Sequence, residues 1–254
     1  MPSAVRIALD VLSLPERHSY GPDRYNRADL YLPAGDGPHP AAVVIHGGYW
    51  QAKYGKAIMK PVCADLARRG VAAWNIEYRR LGRGQGGGWP ATFDDVANAI
   101  DHLAEAGAGR LQLDDVAVVG HSAGGQLALW AAARDDARVP IRRVVAQAAV
   151  CDLAAAGDVA RDLIGGPPER FPDRWQAADP MRHIPLAVPV RLIHGAEDAT
   201  VPVRRSRRYY EAARAAGAPV ELIEPSPGGH RVHIDPRSAA WEAAAEFVRS
   251  GASA

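Results

Sequence analysis

Cysteine is scarce in this chain of 254 residues: Cys63 and Cys151 stand alone, with no CxxC pair and no Cys/His ligand spacing. Two cysteines exclude the disulfide framework of a small secreted scaffold, and both are expected to be buried thiols in a reducing compartment. Long apolar runs are missing as well. Runs such as Ala41 to Ile45 and Val116 to Val119 fall far short of the roughly 18 residues that a membrane span needs. Charge of one sign is not in excess. Thirty Lys and Arg against 29 Asp and Glu leave a formal charge of +1, so a nucleic-acid partner is not expected. A secretory pattern is also lacking, because Arg6 and Asp10 fall inside what would be its apolar core and no small-residue cleavage site follows. The expectation is a cytoplasmic protein without membrane or nucleic-acid partners.

What is present is an ordinary globular composition, 48% apolar and 23% charged. A chain of this length buries on the order of 70% of its unfolded surface, enough for one good core, and a single domain over 1–254 is expected. Four largely apolar runs recur: Ala41 to Ile45 and Val116 to Val119, which are unbroken, Val71 to Ile76, broken by Asn75, and Val188 to Ile193, broken by Pro189 and Arg191. A fifth, Val144 to Val150, is interrupted by Gln147, and a shorter run spans Val220 to Ile223. Continuous rather than alternating runs predict strands buried on both faces, as in a parallel sheet between helices. Helical period fills the gaps. Tyr54 to Arg69 puts Ile58, Val62, Leu66 and Ala67 on one face and stops at Gly70. Thr92 to Glu105 opens with Thr92 and Asp95 in the register of a capping box. Ser122 to Ala133, Val203 to Ala216 and Arg237 to Val248 complete the set. Strand and helix alternate, which predicts a doubly wound α/β fold with a mostly parallel sheet and right-handed crossovers. Gly82 to Pro90, with five glycines, reads as a mobile loop. Residues 151–189, rich in Asp, Arg and Pro, are too long for a plain connection and read as a small, cap-like helical insertion.

Gly120, His121, Ser122, Ala123 and Gly124 form G-x-S-x-G directly after an apolar run and before a helix. A serine on such a turn projects its hydroxyl from the sheet edge, and the glycines let the backbone turn without clashes. That hydroxyl needs a base, and the base needs an acid that holds its tautomer. Asp198 follows the run Val188 to Ile193, 76 residues beyond Ser122, and His230 follows Val220 to Ile223 and the pair Gly228 and Gly229. Both fall in loops after strands, at the edge where Ser122 sits. Asp152 is the competing acid and His233 the competing base. His46 and His121 are expected to shape the site without exchanging protons. Gly47 and Gly48, after the strand Ala41 to Ile45, can bring backbone N–H groups to an oxyanion, with the Ala123 N–H as a further donor.

These motifs resemble the α/β-hydrolase superfamily across nearly the whole chain: HGGYW followed by Gln51, GHSAGG at 120–125, HGAED at 194–198 and GGH at 228–230. HGGxW is similar to the motif of kynurenine formamidases and their bacterial esterase relatives. The resemblance implies Ser122 as nucleophile, Asp198 as acid, His230 as base, and Gly47, Gly48 and Ala123 as oxyanion hole. Where such relatives continue after the base with an aromatic and an acid, this chain has Arg231 and Val232, a departure at the pocket wall.

Tyr49, Trp50, Tyr78 and Trp89 fall near this site, and Tyr49, Trp50 and Trp89 are candidate walls for an aryl group, with core packing as the competing reading. Arg204, Arg205, Arg207 and Arg208 read as a solvated helix face. His230-x-x-His233 would suit zinc only on a shared helix face, and Ile-Asp-Pro after it speaks for a loop, so no metal is expected. The expected function is a cofactor-free serine hydrolase that cleaves a small carboxylic ester or an N-formyl arylamide through an acyl-enzyme. Two rivals stand beside it. A prolyl-oligopeptidase-like peptidase would carry a large gating domain, for which 254 residues leave no room. A non-catalytic binding module on a hydrolase fold would not need the intact set of Ser, Asp and His. The only partner expected is a small-molecule ester or amide, and nothing in the sequence sets an oligomeric state.

Overall fold

The computed structural model describes residues 14–226 and 228–251, so Arg6 and Asp10 lie outside the described residues. Eight strands form one sheet: β1 (Glu16–Ser19), β2 (Arg27–Tyr31), β3 (His39–Ile45), β4 (Ala72–Ile76), β5 (Leu111–His121), β6 (Ile141–Gln147), β7 (Val190–Ile193) and β8 (Val220–Ile223). Their spatial order is β1-β2-β4-β3-β5-β6-β7-β8. From β4 to β8 all pairs are parallel; β2 pairs antiparallel with β4, and β1 with β2. The helices are α1 (Lys60–Arg68), α2 (Ala91–Asp101), α3 (Leu103–Ala106), α4 (Ala123–Ala132), α5 (Asp158–Ile164), α6 (Pro172–Ala178), α7 (Arg204–Ala215) and α8 (Ala239–Ser250).

The apolar runs form strands because both faces of each are covered. Successive residues point to opposite sides. Val43, Trp74, Val118, Val144 and Leu192 join one core with α2, α4 and α7, while Val44, Ala73, Val119, Val145 and Ile193 join another with α1 and α8. Every residue of Ala41 to Ile45 is buried. β1 and β2 have no such run. Glu16–Ser19 is a mostly exposed edge strand held by backbone pairing, which leaves no apolar pattern in its sequence.

Two local expectations change. Thr92 and Asp95 do not cap α2, which starts at Ala91 after Pro90 without a side-chain cap. Thr92 Oγ1 instead donates to Arg79 O at 2.7 Å and accepts from Gly88 N, while Asp95 takes both Arg79 Nε and Nη2. They tie residues 79–88 to the helix. The segment 151–189 carries 3₁₀ turns, α5 and α6, and buries Ala160, Leu163 and Trp175 against the first core. Cys63 and Cys151 are free and buried, and burial raises both thiols, Cys151 to about 12. No helix among the described residues is long and apolar enough to cross a membrane.

Candidate active site

Parallel strands finish on one edge, so the loops leaving β3, β5, β7 and β8 bring His46 to Trp50, Ser122, Asp198 and His230 to one side of the sheet. Ser122 has φ 57° and ψ −118°, a left-handed conformation that costs a non-glycine residue on the order of 1–3 kcal/mol unless its surroundings impose it. They do so here. Its N–H donates to Gln147 O at 2.8 Å, and its carbonyl accepts from Val150 N at 3.2 Å and from Gly125 N at 3.0 Å. The glycines of the motif have a plain steric reason. A Cβ on Gly120 would lie 2.1 Å from Gly124 O, and one on Gly124 would lie 2.2 Å from Ile45 O. Ala123 begins α4, so its N–H has no acceptor within the helix and lies at the positive end of the dipole.

His230 Nδ1–H donates to Asp198 Oδ2 at 2.7 Å. That bond fixes the tautomer and leaves Nε2 as a free base. The other carboxylate oxygen of Asp198 accepts from Thr200 N at 2.8 Å and Val201 N at 2.9 Å. Burial pushes the Asp198 carboxyl up, but the His230 bond and these two N–H groups outweigh it and hold it below its ordinary value. The acid and base loops touch through main chain: a Cβ on Gly195 would sit 1.9 Å from Gly228 O, which also accepts from Glu197 N. The competing acid, Asp152, is engaged elsewhere, by Arg208 Nη1 at 2.5 Å and Ala155 N at 3.1 Å. The arginine run on α7 is thus more than a solvated face, since Arg205 also donates to Ala155 O and Arg207 to Glu224.

Three further histidines crowd the pair. His121 Nε2–H donates to the backbone carbonyl of His230 at 2.8 Å, a bond across 109 residues that steadies the His230 loop. Burial, then the neighbouring His230, pushes His121 down to about 3, so it stays neutral. His194 Nε2–H donates to Val201 O at 2.7 Å and Nδ1 faces Ser206 Oγ. His233, the competing base, is fully buried; neither ring nitrogen has a partner among the described residues, and burial pushes it to about 3. Only His230 combines an acid partner with a place on the cavity wall. Sequence spacing could not show the His121 bond, because it joins distant loops.

Beside Ser122 and His230 lies a cavity of about 610 Å³. Gly48 and Tyr49 line it, and so do Tyr54, Ile58, Thr200 and Arg231. Gly48 has φ 118°, and a Cβ there would fall 2.4 Å from Tyr54 Cβ. A Cβ on Gly47 would fall 2.5 Å from His121 O, so the loop presses on the elbow. His46 stands behind it, with Nδ1 2.8 Å from Gly47 O and Nε2 2.7 Å from Glu77 Oε1. Burial pushes the Glu77 carboxyl up, yet the bond from His46, the Arg80 guanidinium and Lys56 N–H together hold it low.

The aromatic expectations divide. Tyr49 and Trp50 both take positive φ, 57° and 56°. This twist sends Tyr49 to the cavity mouth, 41% exposed, and turns Trp50 into the core, where its Nε1–H donates to Gln126 Oε1. Trp50 is therefore not a cavity wall. Neither is Trp89, which packs on Phe93 at 4.9 Å, nor Tyr78, which stacks on His46 at 4.3 Å. Tyr54 and Ile58 take their place. Their segment reads as one regular helix, but its first turn is a 3₁₀ turn over Lys56–Met59, and Ile58 both packs on the second core beside Val62 and Leu66 and lines the cavity. None of these lining residues comes from 151–189. Among the described residues no group of three or more His, Cys, Asp or Glu could hold a metal ion.

A family model described as BD-FAE matches residues 28–212. The probable carboxylic ester hydrolase LipM of Mycobacterium tuberculosis is 27% identical over 216 residues, covering 76% of this chain and 48% of its own length. Esterase LipQ of the same organism is 27% identical over 239 residues, covering 83% and 55%. The chain thus spans about half the length of these curated relatives. Among solved structures, a truncated carbohydrate esterase from gut microbiota superimposes with a TM-score of 0.82 at 22% identity, covering 95% of this chain and 98% of that one. That likeness is one of fold, the α/β-hydrolase fold.

Proposed function

This chain belongs to the BD-FAE family, and from that premise we propose that it is a serine esterase working through an acyl-enzyme. The observation that carries the reading is the 2.7 Å bond from His230 to Asp198 on the same cavity as the strained Ser122. Ser122 Oγ attacks the ester carbonyl while His230 Nε2 takes its proton, and Asp198 stabilises the imidazolium that forms. Negative charge on the former carbonyl oxygen is met by the N–H groups of Ala123 and of the Gly47 and Gly48 loop, each such donor typically contributing about 3 kcal/mol. His230 then protonates the departing alcohol, and water enters by the same route to release the acid. No cofactor takes part. The occupant is a small molecule. The reading carries a reducing, cytoplasmic compartment, in keeping with the two free thiols.

The cavity mouth, with Tyr49 and Tyr54, suits an aryl leaving group and a short acyl chain. A panel of 4-nitrophenyl esters beside an N-formyl arylamide tests this. We expect kcat/KM to fall once the acyl chain exceeds about four carbons, at about 1–3 kcal/mol for each methylene that does not fit. Faster cleavage of long chains than of acetate and butyrate overturns the short-acyl reading. The formamide separates the two finer readings: ester cleavage with an untouched formyl amide leaves an esterase and removes the arylformamidase.

A further inference from the structure

One of the side chains lining the cavity carries a full charge. It is Arg231, exposed on the wall it shares with Ser122 and Val232, and no Asp or Glu lines that wall. Several cations elsewhere are matched, as in Arg79 with Asp95, Arg134 with Asp101 and Arg69 with Asp65, and what sets Arg231 apart is its place on the cavity wall. Arg231 has no ion-pair partner among the described residues. Asp235, the nearest acid along its own loop, is bound by Arg237, with Nε to Oδ1 at 3.1 Å. The backbone of Arg231 is fixed, because Ile234 N donates to Arg231 O at 3.2 Å across the 3₁₀ turn Val232–Ile234. A second cation stands near the cavity: Lys53 Nζ lies 5.7 Å from the ring centroid of Tyr54, itself a lining residue, and has no ion-pair partner among the described residues either.

A guanidinium presents a planar fork of donors that fits a carboxylate bidentately. Walls of Tyr49, Tyr54, Ile58 and Ile234 exclude part of the solvent that would screen it. We infer that Arg231 makes this site prefer esters that bear a carboxylate on the part seated in the cavity. The inference deepens the esterase reading and rests on it. The carboxylate can arrive on the acyl group or on the leaving group, and two matched pairs separate these sources: phenyl hemisuccinate against phenyl butyrate, and 4-carboxyphenyl acetate against 4-carbamoylphenyl acetate. Each rate is divided by the rate of the same ester with hydroxide. In the wild-type protein the charged member is expected to have the higher kcat/KM in one pair. Arg231→Gln should lower that charged-to-neutral ratio about tenfold, chiefly through KM, and raising salt from about 20 to about 500 mM should shrink it in the wild type. Preference for the neutral member in both pairs, or a ratio that Arg231→Gln leaves unmoved, overturns the inference. Calorimetric binding of benzoate against benzamide needs no turnover. Benzoate binding that is lost in Arg231→Gln while no ester is cleaved sinks the esterase reading and sustains the role of Arg231. Ester cleavage with benzoate bound equally by both proteins does the reverse.

Discussion

Compared with the rest of the cavity wall, the groups proposed to react are held by main chain. Ser122 is fixed by backbone bonds to Gln147, Gly125 and Val150, and Asp198 by the N–H groups of Thr200 and Val201. Glycine contacts at 120, 124 and 195 leave no room for a side chain. The wall is different. Tyr49, Tyr54, Ile58 and Arg231 reach the cavity by the twist of a loop, a turn of 3₁₀ helix and an exposed side chain. On the proposed reading, chemistry is tied to the sheet edge and substrate contact to the loops that leave it.

The sharpest break of that contrast is at the nucleophile. Ser122→Ala should lower turnover on the order of 10⁴- to 10⁶-fold and abolish fluorophosphonate labelling with the fold intact, since little packing is lost. His230→Ala should come close to it, whereas His233→Ala, which removes a ring with no carboxylate partner, should cost less than about tenfold. More than a tenth of wild-type activity in clean Ser122→Ala, or the opposite ranking of the two histidines, would show that the reacting groups are misassigned.

Neighbouring aromatics sharpen the contrast next. Trp50→Ala is expected to destabilise by about 3–5 kcal/mol, as a fully buried ring does. Tyr49→Ala should leave the denaturant midpoint nearly unchanged and raise KM for aryl esters a few-fold. Equal midpoints for the two variants would contradict the division between core and wall.

A smaller effect comes from the buried histidines. His121 and His233 are each held near 3 by burial, against about 6.5 in the unfolded chain. Between those values the unfolded state binds more protons, so stability is full above about pH 6.5 and falls as pH drops, by up to about 1.4 kcal/mol per pH unit for each histidine. Denaturant melts from pH 7 to pH 5 read this slope. His233→Phe should lower this slope, with His121 and His194, which burial also holds low, supplying the rest; an unchanged slope would mean that His233 does not stay neutral in the fold.

The sheet was legible because Ala41 to Ile45 and Val116 to Val119 are buried on both faces, and burial on both faces leaves an unbroken apolar run. β1 was not, because Glu16–Ser19 pairs by backbone at an exposed edge. In the site, Ser122, Asp198 and His230 could be placed from strand ends and glycines. Trp50 could not, since its fate depends on a φ of 56° that no neighbouring residue type announces. Thr92 and Asp95 show the same limit, for their spacing fits a cap while their partners come from Arg79 and Gly88.

The contact between Gly195 and Gly228 has an evolutionary side. With less than a methyl group of clearance between the two loops, neither position can drift without parting Asp198 from His230. Positions 231 and 232, a few residues away on the rim, meet no such barrier. On the proposed reading, descendants of this chain could therefore exchange one class of substrate for another by point changes at the rim, and inherit the pairing of Asp198 with His230 untouched.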